Sequence, residues 1–346
     1  MNTVSNLTET ADRVFRTMIG GPTEDWGMNL ESWDWVPGVG VISILSYAEC
    51  TQNQEGIEFL RLWTERNKHL SEQVKVINSL APYAIFPDLY RQTGDLWYLE
   101  AGKKIGDWLL TEAPRTREGA FEHTVTENAS FPEQVWADTL FMAVLFLARL
   151  AKLTSEKKYA EEAAFQLLVH LRLLQDPQTG VLFHGWNCVE GDHMSSARWT
   201  RANAWVVLAC PWIVQDIVSL IDIPHEIFER YQKLAAGLRE YQGADGLWST
   251  VMDEPEFYRE TSGSAGIAAG WLAGVRIGWL DDTYKALAHK ALSGILPQIA
   301  TDGTVHGVSG GTPVMPSIAA YQTIPCYPAL YGQGLTLILL SLSMSE

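Results

Sequence analysis

The feature that most restricts what this chain can fold into is a period. Almost everywhere apolar residues recur at three- and four-residue spacing, and almost nowhere do they alternate as in a half-buried strand. This predicts helices over residues 7–19, 36–50, 54–69, 74–93, 96–112, 133–153, 156–174, 198–220, 226–241, 257–277, 282–299 and 328–343, about twelve in all. A longer period overlies the first. A glycine followed by apolar residues recurs in Gly119-Ala-Phe-Glu-His, Gly180-Val-Leu-Phe-His, Gly246-Leu-Trp-Ser-Thr and Gly303-Thr-Val-His-Gly, the glycines 57 to 66 residues apart. That spacing is the length of two helices with their connections. Glycine turns also follow helices in unrelated folds, but together with the helix count they predict an all-α fold, an α/α barrel of six hairpins with an inner and an outer ring. No Pro/Gly/Ser-rich linker interrupts the 346 residues, so residues 1–346 read as one barrel domain.

Composition limits the partners. With 47% hydrophobic and 19% charged residues the chain can bury a large core, and nothing in it suggests disorder. A net charge of −16 argues against nucleic acid or an anionic membrane surface, both of which select basic patches. A small acidic substrate is compatible with it, given locally placed arginines. No apolar run is long enough to span a bilayer, and residues 1–24 are polar with no signal-like core, so the expectation is a cytoplasmic protein. Cys50, Cys188, Cys210 and Cys326 form no CxxC pair and the eight histidines no HExxH, which predicts free thiols and no structural metal. No phosphate loop, dinucleotide fingerprint or nucleophile elbow is present, and no cofactor is expected. The oligomeric state is not legible.

Fourteen tryptophans stand out, and several flank polar residues that can do chemistry. In Trp136-Ala-Asp138-Thr-Leu-Phe-Met-Ala one carboxylate opens an otherwise apolar helix. A buried carboxylate is costly unless paired, capped or used. Asp138 therefore either complements the helix dipole or acts as a proton donor held protonated by desolvation beside Trp136 and Phe141. In Trp199-Thr-Arg201-Ala-Asn-Ala-Trp205, Arg201 and Trp205 are four residues apart and share a helical face. They offer either a carboxylate clamp with a platform for a sugar ring or an arginine stacked in the core. His184, in Phe183-His-Gly-Trp-Asn187, lies on one of the repeated loops as a candidate hydrogen-bond donor or secondary base, with His193 competing for that role. Glu260 and the small residues after it suit close helix packing, or else backbone approach to a ligand.

The run from Trp136 to Ala143, the element Arg201-Ala-Asn-Ala-Trp205, the block Glu260-Thr-Ser-Gly-Ser-Ala, and the terminal Gly307-Val-Ser-Gly-Gly-Thr with Tyr331-Gly-Gln-Gly resemble glycoside hydrolase family 105. Those are the unsaturated rhamnogalacturonyl hydrolases, relatives of the unsaturated glucuronyl hydrolases, and the resemblance runs from Trp33-Asp-Trp-Val-Pro-Gly onward. It implies a six-hairpin barrel without a metal, acting on the Δ4,5-unsaturated uronic acid that lyases leave at a non-reducing end. Asp138 matches the general acid/base, and Trp136, His184, Trp199, Arg201 and Trp205 match pocket positions. Many relatives carry an aspartate where Asn78 stands in Asn78-Ser-Leu-Ala-Pro82, so Asn78 is expected to hydrogen-bond substrate without supplying a second carboxylate. A vinyl ether tolerates that loss, because one acid can protonate C4 and then, ionised, activate water at C5. The competing readings are another α/α-barrel glycosidase or epimerase, which would need paired carboxylates or histidines, and a non-catalytic saccharide-binding protein.

Overall fold

The computed structural model describes residues 3–21, 24–73, 75–127 and 130–345. Among these residues thirteen α-helices, numbered in chain order, account for the expected periods. The elements that bury most of their sides are α2 (Trp35–Thr51), a 3₁₀ stretch Asn78–Ile85 running into the half-buried α4 (Phe86–Thr93), α6 (Leu145–Thr154), α8 (Thr200–Ile217), α10 (Thr261–Arg276) and α13 (Leu330–Met344). They form a closed inner ring in which α2 packs on the 78–93 segment, that segment on α6, α6 on α8, α8 on α10, α10 on α13, and α13 again on α2. Amphipathic α1 (Thr3–Ile19), α3 (Gln54–Asn67), α5 (Leu96–Thr111), α7 (Lys157–Leu174), α9 (His225–Glu240) and α11 (Thr283–Ile295) surround them, each pressing its apolar stripe inward. This is the expected six-hairpin barrel.

The glycine repeat closes the outer ring. Gly119, Gly180, Gly246 and Gly303 all have positive φ, from 83° to 93°, which turns the chain back after α5, α7, α9 and α11. A Cβ at Gly303 would lie 2.3 Å from the carbonyl oxygen of Arg13 on α1, so the last repeat docks on the first helix only because it has no side chain. Inside, glycines at four-residue spacing on α10 let it approach α8 closely: a Cβ at Gly270 would meet Val207 O at 2.6 Å. The small residues after Glu260 thus serve helix packing.

Three expectations shift. The helix expected over 133–153 begins only at residue 140, with a π-helical turn Leu140–Val144, because Gln134–Trp136 is a strand (β1) paired antiparallel with Gly185–Asn187 (β2). Three-residue strands are too short to show alternation. The helix expected over 74–93, whose first residue lies outside those described, is 3₁₀ up to Ile85, with Pro82 removing one helical N–H. The helix expected from 257 starts at Thr261, where the Glu260 side chain accepts hydrogen bonds from the first-turn amides. A short extra helix, α12 (Ile318–Gln322), sits in the long connection before α13. No helix among the described residues is long and apolar enough to cross a membrane.

Candidate active site

The inner helices begin at one mouth of the barrel, and the repeat brings its loops there. The residue four after three of the repeat glycines offers its carbonyl to the entry of an inner helix: Ala137 N donates to His184 O (3.1 Å), Thr200 N to Thr250 O (2.9 Å) and Thr261 N to Gly307 O (2.8 Å), while after Gly119 the fifth residue does so, Asn78 N donating to Thr124 O (3.2 Å). Helix N-termini with their partial positive charge therefore gather around this opening. A cavity of about 300 Å³ opens there, bounded by Trp26, Trp35, Asn78, His123, Val125, Glu127, Phe131, Trp136, Asp138, Met142, Trp199, Arg201 and the turn 311–313.

The β1–β2 ribbon assembles its centre. Trp136 pairs with Gly185, which sets Asp138 two residues beyond one strand beside His184, one residue before the other. Gly185 gives the ribbon room: a Cβ there would meet the Met194 side chain at 2.5 Å and that of Val314 at 2.8 Å, so both would have to shift. His184 Nε2 lies 3.4 Å from Asp138 Oδ2, its Nδ1 lies 2.7 Å from the Tyr321 hydroxyl, and its fully buried ring is tilted against Trp199 at 4.3 Å. Asp138 keeps 14% of its side chain exposed, toward the cavity. Burial is the largest single influence on Asp138 and pushes its pKa up. The nearby His184 and His123 rings outweigh that and hold it below the ordinary carboxylate value. The expectation that desolvation keeps Asp138 protonated is thus reversed in the free protein. Burial keeps His184 itself neutral, against the opposing pull of Asp138. What faces the carboxylate is therefore the polar edge of a neutral imidazole 3.4 Å away rather than a full charge.

The other expected residues divide. Trp136 forms a wall, stacked on His123 at 4.5 Å and Phe131 at 4.4 Å, and Asn78 starts the 3₁₀ stretch on the same cavity. Arg201 reaches the cavity, but its guanidinium is sandwiched between Trp199 and Tyr331, each 4.6 Å away. Its Nη1 donates to Ser309 O (2.9 Å) and Ser309 Oγ (2.6 Å), its Nη2 to Gly310 O (2.7 Å), and Glu260 lies 3.5 Å away. Its two Nη groups hold the loop after Val308, while the buried Nε has no hydrogen-bond partner. Glu260, wholly buried, receives Ser262 Oγ–H and the Ser309 amide, so it is a cap and counter-charge rather than an acid facing the cavity. Trp205 is corrected outright: it is buried against Phe141 at 4.9 Å and bounds no part of the cavity. Because α8 starts at Thr200, Trp205 stands one turn, about 6 Å, deeper than Arg201. His193 also lies elsewhere, its Nε2–H on Leu173 O (2.9 Å) and its ring on Phe183.

His123 was missed. It is buried, Nδ1 bonds Thr139 Oγ1 at 3.0 Å, and burial pushes its pKa down to about 4, giving the cavity a neutral imidazole. The signal was there: His123 stands four residues after Gly119 as His184 stands four after Gly180. Trp26 and Trp35, edge to face at 6.1 Å on the rim, were legible only as part of the tryptophan excess. Among the described residues one group, Glu118, Glu133 and Cys188, brings metal-ligand atoms within 4.8 Å of one another. Burial and the neighbouring Glu118 push the Cys188 thiol up to about 12, so it remains protonated at neutral pH.

An α/α barrel whose mouth carries a walled pocket of tryptophans around a buried carboxylate–imidazole pair is the architecture of a carbohydrate-cleaving enzyme. The chain belongs to Glycosyl Hydrolase Family 88, whose model matches residues 10–345, and it is a glycoside hydrolase. It is 34% identical over 320 residues to the unsaturated rhamnogalacturonyl hydrolase YesR of Bacillus subtilis (strain 168), covering 90% of this chain and 89% of that one. Over 178 residues it is 32% identical to an unsaturated 3S-rhamnoglycuronyl hydrolase of Alteromonas sp. (strain LOR), covering 50% of this chain and 43% of the relative. A solved structure from Salmonella enterica, described as a possible member of the GH105 family, superposes with a TM-score of 0.94 at 28% identity, covering 99% of this chain and 95% of the other.

Proposed function

We propose that the enzyme removes a Δ4,5-unsaturated uronic acid from the non-reducing end of lyase-generated oligosaccharides, the next sugar being rhamnose, with Asp138 as acid and base. The observation that carries this reading is Asp138 itself, a carboxyl reaching the cavity with His184 as its neighbour and the amide Asn78 on the same wall. Hydrolysis by direct displacement needs two carboxyl groups flanking the anomeric bond. Hydration of a vinyl ether needs one. A proton from Asp138 adds at C4, positive charge develops on C5 and the ring oxygen, and the ionised Asp138 takes a proton from the water adding at C5. The hemiketal then opens, and C1, left as a hemiacetal, releases the next sugar.

Asp138 is ionised in the free enzyme, so its proton must arrive with the substrate. A uronate carboxylate entering the same pocket repels the Asp138 charge and raises its pKa. Substrate binding is thereby coupled to proton uptake. The test is a set of lyase-generated unsaturated disaccharides followed by loss of the ultraviolet absorbance of the conjugated double bond. Turnover of the rhamnose-linked disaccharide supports the reading, and activity confined to saturated glycosides sinks it. One observation favours a second reading: Glu127, exposed on the rim, also bounds the cavity and could pair with Asp138 in direct displacement. Glu127→Gln distinguishes the two, since hydration survives that change and two-carboxylate hydrolysis does not.

A further inference from the structure

We propose that Tyr321 is a positioning residue, fixing the His184 tautomer that presents Nε2–H to Asp138. The inference rests on the reading of Asp138 as the acid. Tyr321 lies on α12, is wholly buried, and bounds no part of the cavity, so it acts through another residue. Its hydroxyl oxygen accepts the Met315 amide at 3.2 Å and lies 2.7 Å from His184 Nδ1. A neutral imidazole has a single N–H, and two groups compete to face it. The Asp138 carboxylate at Nε2 can only accept. The tyrosine, which burial keeps a phenol by pushing its pKa up to about 12, can donate. The arrangement that sets no lone pair against another is Tyr321 O–H to Nδ1 with Nε2–H turned toward the carboxylate 3.4 Å away. The tautomer follows from these partners.

The groups facing this chain are few. His123 lies on the Asp138 side, Arg201 on the His184 side with Glu260 as its counter-charge, all buried, and the Ser195 hydroxyl, shielded from water, lies beside that of Tyr321. None of them offers Nδ1 a donor in place of the tyrosine. Without the hydroxyl, the imidazole proton can move to Nδ1, leaving a lone pair at Nε2 facing a carboxylate. Asp138 then faces a lone pair instead of an N–H at 3.4 Å, and its pKa rises. The connection before α13 carries both Tyr321 and the Ser309–Gly310 anchor of Arg201, so it organises the acid from behind while closing the pocket from above.

The test is Tyr321→Phe in the full-length enzyme, read three ways. With the unsaturated disaccharide, kcat is expected to fall about tenfold or more with KM within about threefold, because positioning rather than contact is lost. The alkaline limb of kcat/KM is expected to move to higher pH, since it reports the protonated Asp138 of the free enzyme. Nitrogen-15 NMR of histidine-labelled protein is expected to show His184 as the Nε2–H tautomer in the unmutated enzyme and mixed tautomers in the variant. A fall in kcat with limb and tautomer unmoved overturns the proposal in favour of a packing role, as does an unmutated enzyme whose His184 carries its proton on Nδ1. That last measurement needs no variant to fold and no substrate. Full turnover by Asp138→Asn would instead overturn the functional reading while leaving the tautomer result standing.

Discussion

Both ends of the barrel hold clustered charges, and they hold them differently. At the far end, where the inner helices finish, Glu49, Asp88, Arg91, Arg149, Lys152, Asp216 and Arg276 bound a crater of about 230 Å³. Lys152 pairs with Asp216 at 2.8 Å, Arg91 with Asp88, and Arg149 donates to Ala84 O, most of them in contact with water. Cations there also complement the negative ends of the helices. At the mouth Arg201 and Glu260 are almost wholly excluded from water, and Asp138 meets the cavity beside an imidazole rather than a cation. Solvated pairs contribute little to stability and cost little to keep, whereas burying charge is expensive unless hydrogen bonds compensate it. The expensive end is where selection for chemistry has to act, and the inexpensive end serves solubility and helix ends.

The largest expected effect breaks this symmetry directly. Asp138→Asn is nearly isosteric and should lower turnover about 10²- to 10⁴-fold, the range for loss of a general acid. Asp216→Asn, the same change at the far end, should leave kcat/KM within about twofold, as expected for a distant surface pair. Steady-state rates on the unsaturated disaccharide, with circular dichroism to establish folding, check both. Equal losses in the two variants would mean that the ends do not differ in the way argued.

Arg201→Lys comes next. Charge is retained, but the planar fork that bonds Ser309 and Gly310 while stacked between two rings is lost. Leaving those carbonyls unsatisfied should cost about 2 kcal/mol or more of stability and loosen the loop over the pocket, lowering kcat/KM roughly 10- to 100-fold. Thermal melting and kinetics should therefore fall together. A rise in KM alone with melting unchanged would restore Arg201 to the role of substrate clamp.

A smaller effect appears in the pH profiles. Asp138 is held low in the free enzyme, and on the proposed reading an entering uronate raises it. The alkaline limb of kcat/KM, which reports the free enzyme, should then lie at lower pH than that of kcat, which reports the complex. Coincident limbs would remove substrate-linked protonation.

Much of this was legible because it is periodic. The inner helices announce themselves by being apolar all round, and the glycine repeat marks both the turn and, four residues on, the position that reaches the mouth. Asp138 and His184 were found because a polar residue amid apolar ones is anomalous. What was not legible depends on distance across the chain. Three-residue strands carry no period, so the ribbon joining Asp138 to His184 went unseen. Tyr321 and His184 are 137 residues apart, and nothing local signals their bond. Trp205 misled because a shared helical face does not specify depth: Arg201 stops at the mouth and Trp205 is core. The pKa of Asp138 went the other way from expectation because the sequence shows burial beside Trp136 but not the imidazole that opposes it.

The smallest expected effect belongs to the far end. Crowding by the crater wall and the neighbouring Asp88 charge raise Glu49, itself exposed, from 4.5 to about 7, partly opposed by Arg149 and Arg91. A carboxyl with a raised pKa in the folded state binds more protons there than in the unfolded chain, so stability falls as pH climbs between those two values. Glu49→Gln removes that dependence, since the amide cannot ionise. The variant's Tm relative to unmutated protein should therefore be higher at pH above 7 than at pH below 4.5. Because the crater is open to solvent the difference should be small, about 3 °C or less, with kcat/KM on the unsaturated disaccharide unchanged within about twofold. A Tm difference independent of pH would show that Glu49 titrates normally. A drop in kcat/KM would show that the far end is coupled to the mouth through the inner helices, and the contrast between a structural end and a chemical end would have to be withdrawn.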